Sequence, residues 1–185
     1  MRIVGGRFRG RTLQAPTTQS VRPTSDRLRE SLFNILAHSY EDVTNGARVI
    51  DLFAGTGALG LESLSRGARF ALFVDDSAEG RALVRGNVEQ LGLGGETRIF
   101  RRDATNLGPM PSQDAFTLAF LDPPYGKDLA PRALASLRDG GWLAKDALCV
   151  VEESAAASVE MPAGYKLIDR RDYSDTQVLF VRAID

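Results

Sequence analysis

The run Val49-Ile50-Asp51-Leu52-Phe53, followed at once by Ala54-Gly55-Thr56-Gly57-Ala58-Leu59-Gly60, constrains this chain more than any other segment. An apolar strand that breaks into a glycine-rich turn and then a helical pattern is the opening βα unit of an open α/β sheet. Glycines let the backbone turn sharply and approach a ligand closely. The helix beginning near Ala58 aims its N-terminus at the same place. Ligands of open α/β sheets bind at the carboxyl ends of the strands, so this loop is a candidate cofactor site.

The rest of the chain continues the alternation. Strands are expected near 47–52, 69–75, 97–101, 116–121 and 147–152, and helices near 58–66, 77–91 and 128–138. Runs such as Ala71-Leu72-Phe73-Val74 and Leu118-Ala119-Phe120-Leu121 are apolar without interruption, as strands covered on both faces require. The end differs: 165–172 and 176–183 are strand-like and joined by Ser174-Asp175, which predicts a terminal antiparallel hairpin. At the start, Ile3-Val4 and Thr12-Leu13 flank a glycine-arginine loop and predict a small hairpin, followed by an extended linker from Pro16 to Pro23. Thr24 or Ser25 caps a helix running to about Ser39, with Leu28, Leu32, Phe33, Ile35 and Leu36 on its apolar face and Arg27, Arg29 and Glu30 on its polar face. We expect one domain over 1–185, with a basic hairpin and linker at 1–23 and the core at 24–185.

Charge is distributed unevenly. The net charge of the 185 residues is −1, yet residues 1–29 hold seven arginines and one acid, Asp26, a local +6 that leaves −7 for the remainder. Such asymmetry points to a basic face for nucleic acid, with Arg7, Arg9, Arg11 and Arg22 as phosphate contacts. One cysteine, Cys149, excludes an internal disulfide framework, and with a single histidine leaves no zinc site of the usual kind. No apolar run approaches the roughly 20 residues of a membrane span, and the first residues lack a secretory apolar core. A cytoplasmic protein is the expectation.

The choice of cofactor rests on acids. Gly55, Gly57 and Gly60 fit the dinucleotide fingerprint, with Asp75 twenty residues after Gly55, which alone would suit NAD. Asp51 argues otherwise. A carboxylate inside the strand end repels a pyrophosphate and attracts an ammonium. S-adenosylmethionine carries that ammonium, a sulfonium and no phosphate. Phe53, Ala54, Gly55, Thr56 and Gly57 would form its cradle. Asp75 or Asp76, ending the second strand, would accept the ribose hydroxyls. Asp103 would receive the adenine amine, with small Ala104 leaving room for the ring.

Leu121 is followed by Asp122-Pro123-Pro124-Tyr125. Two prolines fix φ and remove two backbone donors, so the loop is rigid, presents carbonyl oxygens as acceptors and carries no N–H at 123 or 124. The Asp122 carboxylate and the Pro123 carbonyl suit the two hydrogens of an exocyclic NH2, and Tyr125 suits a base stacked on its ring. This arrangement positions an amine for methyl transfer and stabilises charge arriving on nitrogen, without metal or covalent intermediate.

Together these residues resemble the RsmD-type 16S rRNA guanine-N2 methyltransferase family. The resemblance is carried by Gly5-Gly6-Arg7-Phe8-Arg9-Gly10-Arg11, by Arg22 to Asn34, by Asp51 to Gly57 with Ser65-Arg66-Gly67-Ala68, and by Asp122 to Tyr125. It implies a Rossmann-like α/β methyltransferase fold, a seven-stranded mostly parallel sheet ending in an antiparallel hairpin, with a small N-terminal hairpin extension. It further implies S-adenosylmethionine as donor, and a guanine N2 in 16S rRNA, free or in a small-subunit ribosomal particle, as acceptor. The segment from Arg22 to Arg27, including Thr24 and Arg27, would lie beside cofactor and substrate. Apart from the resemblance, a monomer is the expectation. Departures are Asp75 where Glu is usual, Tyr125 where Phe is frequent, and Ser174 where Gly usually follows the hairpin tyrosine. The tetrapeptide equally suits adenine N6 or a protein glutamine. The glycine spacing alone keeps an NAD-dependent oxidoreductase open, and a non-catalytic RNA chaperone is a further alternative.

Overall fold

Parallel strands need long crossovers, and the sequence supplies a helix for most of them. The computed structural model describes residues 1–17 and 24–184, so Arg22 and most of the expected Pro16–Pro23 linker lie outside the described residues. In chain order the elements are α1 (Asp26–Ser39), β1 (Arg48–Leu52), α2 (Ala58–Ser65), β2 (Phe70–Val74), α3 (Ala78–Leu91), β3 (Thr97–Phe100), β4 (Phe116–Leu121), α4 (Leu129–Asp139), β5 (Leu143–Ser154), β6 (Tyr165–Tyr173) and β7 (Thr176–Ala183). They build one seven-stranded sheet in the order β3-β2-β1-β4-β5-β7-β6. β1 to β5 are parallel, and β7 runs antiparallel between β5 and β6. The mostly parallel sheet with its terminal hairpin is as expected.

The period of two along each strand sorts side chains between two layers. Val49, Phe73, Phe120 and Val150 pack with Leu32, Phe33 and Leu36 of α1, Leu61 of α2 and Val88 of α3. Ile50, Val74, Leu121 and Val151 face the opposite layer, with Ala133, Leu134 and Leu137 of α4 and Trp142. Burial on both sides explains the uninterrupted apolar runs. β5 begins earlier than the expected 147. Leu143 pairs with Phe116, but the next pair is Leu118 with Leu148, so a bulge interrupts the apolar run. Asp146 takes a left-handed φ of 62° there.

The N-terminal segment folds back on itself without regular strands. It forms one antiparallel bridge, Arg2 with Thr12, around a 3₁₀ turn at Gly6–Phe8, and is closed by Ile3 N–H to Arg11 O (2.9 Å) and Leu13 N–H to Met1 O (2.9 Å). Ile3 and Leu13 are buried in the α1–α3 layer. The loop does not reach outward, because it is docked on the end of α2. Ser65 Oγ donates to Gly5 O (2.6 Å) and accepts from Phe8 N–H (3.0 Å). A Cβ at Gly6, whose φ is +77°, would lie 2.0 Å from Ser65 O.

Arg29 also departs from expectation. It is completely buried, not on a polar face. Its guanidinium donates to Glu62 Oε1 (3.1 Å), to Arg2 O (2.8 Å) and to Asp26. Glu62, equally buried, also accepts from Val4 N–H (3.0 Å), Gly5 N–H (2.9 Å) and Arg66 Nε (2.8 Å). This network ties the arm and α1 to α2, and it removes one positive charge from the surface of the basic segment.

Candidate active site

Strand order reverses between β1 and β4, which pair with Leu52 level with Leu121. Loops leaving adjacent strands in opposite directions open a crevice at such a switch point. Here the loops are Phe53–Gly57 and Asp122–Tyr125, and the crevice is a cavity of about 400 Å³. It is lined by Thr24, Asp51, Phe53, Ala54, Gly55 and Thr56 on one side, Asp75, Asp76, Asp103 and Ala104 beyond them, and Asp122, Pro123, Pro124 and Tyr125 opposite. Residues from five separate segments therefore converge on one cavity.

Two expected residues sit elsewhere. Gly57 caps α2 with φ 80°, and its missing Cβ would face Val84 and Phe73 in the core, so it shapes the loop from behind. Arg27 is exposed and lines a separate open groove with Asn34, His38 and Tyr173, because the buried stripe of α1 turns the other way. Arg7, Arg9 and Arg11 lie on the docked arm and do not line the cavity. Arg7 pairs with Glu96 (3.1 Å) and stacks over Phe8, Arg11 donates to Gln90 O (3.1 Å), and Arg9 is exposed.

The glycine loop is held from several directions. Phe53 takes a left-handed φ of 57°, a conformation that strains a bulky residue by roughly 1–3 kcal/mol and clusters at ligand sites. Asp75 Oδ2 accepts from Gly55 N–H (2.8 Å), while its Oδ1 accepts from Ser77 N–H and Oγ (both 2.8 Å). A carboxylate has about four acceptor sites, so Asp75 keeps one for a ligand, and exposed Asp76 stands beside it. Asn87, fully buried, donates to Thr56 O (2.9 Å) and accepts from Gln14 N–H (2.6 Å), linking the loop to the arm. Nothing local to Asn87 marks it as part of the site; only the fold brings it there.

Asp51 is fully buried. Its Oδ2 accepts from Gly60 N–H (3.0 Å), and its Oδ1 has no partner among the described residues. Burial pushes its carboxyl up to about 8; the Asp75 charge adds to this and the Gly60 N–H opposes it. An unsatisfied buried acceptor is costly, so a cationic donor entering the cavity would relieve it. Asp103 is different. Hydrogen bonds from the Thr105 hydroxyl (2.7 Å) and N–H (2.8 Å) hold it below the ordinary carboxylate range, and both fall on Oδ1.

At the tetrapeptide, Thr24 Oγ donates to Asp122 Oδ2 (3.0 Å). The Tyr125 hydroxyl donates to Glu152 Oε1 (3.0 Å) and lies 2.8 Å from Thr176 Oγ. Gly126 N–H donates to Glu153 Oε1 (3.3 Å). Glu152 and Glu153, both buried on β5, were not foreseen. Two acids ending an apolar strand, Val150-Val151-Glu152-Glu153, were the available signal. Arg102 and Ser77 also line the cavity unforeseen. Cys149 is buried in the core on β5, with its thiol pushed up to about 12 by burial. Among the described residues there is no His, Cys, Asp or Glu cluster able to hold a metal, and no helix is long and apolar enough to cross a membrane.

Known proteins resemble this chain in sequence and in fold. The family described as Conserved hypothetical protein 95 matches residues 1–182. The chain is 38% identical over 169 residues to the ribosomal RNA small subunit methyltransferase D of Escherichia coli K12, covering 90% of this chain and 82% of that one. It is 31% identical over 173 residues to the protein of the same name from Haemophilus influenzae, covering 92% and 88%. The solved structure of yhhF from Escherichia coli superposes with a TM-score of 0.84 at 32% identity, over 100% of this chain and 98% of that one. With its fold, its switch-point cavity and its full-length match in agreement, the chain belongs to the Conserved hypothetical protein 95 family, the RsmD-type methyltransferases.

Proposed function

We propose that this protein methylates the exocyclic N2 amine of a guanine in 16S rRNA, with S-adenosylmethionine as donor. The observation that carries the reading is the facing of two unlike ends in one cavity: buried Asp51, one oxygen of which has no partner among the described residues, and the Asp122-Pro123-Pro124-Tyr125 loop, which has no N–H at 123 or 124. When bound, S-adenosylmethionine supplies an activated methyl group on a sulfonium. Asp51 attracts its ammonium, Asp75 with Asp76 meets the ribose, and Asp103 beside Ala104 meets the adenine. Asp122 and the Pro123 carbonyl accept the amine hydrogens, and Tyr125 stacks on the base. The carboxylate then stabilises charge arriving on nitrogen. The N2 amine is reached only from a base splayed out of its stack, as RNA-binding sites commonly require.

The test is transfer of labelled methyl to 16S rRNA, followed by mass mapping of the nucleotide. Label in N2-methylguanine supports the proposal. Label in N6-methyladenine or in protein, or no transfer at all, overturns it.

Cofactor binding carries a pH signature. With its carboxyl near 8, Asp51 holds a proton at neutral pH that an ammonium ligand must displace. S-adenosylmethionine affinity should therefore rise from pH 6 to pH 8 and each binding event near pH 7 should release a proton, measured by calorimetry in buffers of different ionisation enthalpy with EDTA present. The stability of the free protein runs oppositely. The folded carboxyl is raised above its unfolded value of about 3.9, so the stability it contributes is present at low pH and is lost as pH climbs toward 8. Binding independent of pH, or abolished by EDTA, contradicts the assignment.

The arm is proposed as an RNA contact, and Arg22 is proposed as a further phosphate contact. Each phosphate neutralised contributes about 0.7–0.9 to the logarithmic salt slope. Replacing Arg7, Arg9 and Arg11 by alanine should flatten that slope by about two units, the Arg7–Glu96 pair keeping the change below three. Filter binding across a salt series measures it. An unchanged slope means that the RNA surface lies elsewhere.

A further inference from the structure

We propose that Glu152 is a positioning residue that sets both base-holding groups of the site, Tyr125 directly and Asp122 through Thr24. The proposal rests on the methyltransferase reading above. Glu152 is 6% exposed, and the pairing of Val151 with Leu121 puts it level with Asp122. Its Oε1 accepts from the Tyr125 hydroxyl at 3.0 Å, and its Oε2 lies 3.5 Å from Thr24 Oγ, whose nearer acceptor is Asp122 Oδ2 at 3.0 Å. Thr176 Oγ, 2.8 Å from the Tyr125 hydroxyl, joins the chain from β7. One buried carboxylate thus reaches toward both residues that would grip the base.

A carboxylate taken out of water is costly, and a strand end inside the sheet is an expensive place for it. A phenylalanine at 125 would stack on a base without needing it. The tyrosine uses it: with its hydroxyl fixed at one end of the ring, the ring plane is set by β5 and β7 and not by solvent. The Thr24 hydroxyl has a single proton, and Asp122 Oδ2 at 3.0 Å and Glu152 Oε2 at 3.5 Å both lie within its reach, so the two carboxylates hold the hydroxyl between them and its shorter bond orients Asp122. The amine nitrogen must lie in line with the methyl group, and misplacement of about 1 Å can cost on the order of 10²-fold in rate. Glu152 would hold that alignment without touching the base.

The experiment is single-turnover methyl transfer to 16S rRNA by the full chain, with S-adenosylmethionine affinity and melting temperature measured on the same samples. Tyr125→Phe, on a half-buried ring, should fold normally and lower the transfer rate about tenfold, the worth of a hydrogen bond to a charged group. Glu152→Ala should lower it at least as far, with cofactor affinity unchanged. Glu152→Gln keeps an acceptor for the hydroxyl and should recover most of the rate. The double variant Tyr125→Phe/Glu152→Ala should lose less than the product of the two single losses, since both break the same bond. Multiplicative losses, a Tyr125→Phe rate within twofold of wild type, or Gln no better than Ala would overturn the proposal. Wild-type transfer is the control: if it fails, the methyltransferase reading fails, whereas wild-type transfer with uncoupled variants removes only the role of Glu152.

Discussion

Asp122→Ala should lose methyl transfer by at least about 10²–10³-fold while S-adenosylmethionine binds as tightly as before. An interaction made mainly in the transition state is worth about 3–4 kcal/mol when its geometry is fixed in advance. Asp122 meets both conditions. It stands at a turn stiffened by two prolines, with Thr24 Oγ on its Oδ2 at 3.0 Å. Its charge also has the right sign, because positive charge moves from sulfur toward nitrogen as the methyl group transfers. The cofactor contacts assigned to Asp51, Asp75 and Asp103 lie across the cavity and should not feel the change. Asp122→Asn separates shape from charge. It keeps the volume but offers the amine a competing donor, so its rate should stay within about tenfold of the alanine variant. Single-turnover transfer at saturating cofactor, beside calorimetric binding, gives both numbers. Transfer within threefold of wild type in Asp122→Ala would remove this residue from the chemistry.

What could be read from the sequence was what local pattern encodes. The uninterrupted strands follow from burial on both faces, the glycine loop from the break after Phe53, and the terminal hairpin from paired strand-like runs. The residues that hold the site together were harder to read because their partners are remote. Glu152 meets Tyr125 across 27 positions, and Asn87 meets Thr56 across 31. Arg29 is the instructive case. Arg29, Leu32, Phe33 and Leu36 are the buried residues of α1, a stripe at i, i+3, i+4 and i+7. Periodicity put the arginine on the apolar face, and charge alone suggested the polar one. Glu62 is its counterpart, a lone acid in Ala58-Leu59-Gly60-Leu61-Glu62-Ser63-Leu64-Ser65, a helix buried all round. An acid at such a place requires a partner, and an arginine on an apolar stripe supplies one.

Glu62→Ala should therefore be among the most destabilising single changes in the chain, by about 3–5 kcal/mol. Removing the buried partner leaves the Arg29 charge compensated only by the partly exposed Asp26, and that cost far exceeds the value of a surface ion pair. Arg29, with no exposed surface, would keep Asp26 and the Arg2 carbonyl but lose the carboxylate at 3.1 Å. Val4 and Gly5 would lose their N–H acceptors at 3.0 and 2.9 Å, so the arm should loosen together with the fold. For a chain of this length each kcal/mol corresponds to roughly 2–4 °C, which puts the melting temperature about 6–20 °C below wild type. Urea titration gives the free energy, and hydrogen exchange at Ile3, Val4 and Gly5 reports the arm. A charge-free replacement tests the cause. Arg29→Met/Glu62→Leu removes both charges while keeping much of the volume, and should be markedly more stable than Glu62→Ala, as buried pairs replaced by apolar residues commonly are. Arg66 sits beside Glu62 at 2.8 Å but is 19% exposed, so in the double variant it can turn toward solvent. A loss below about 1 kcal/mol in Glu62→Ala, or a double variant no more stable than the single, would mean that apolar packing of Ile3 and Leu13, and not the buried charges, holds the arm to α2.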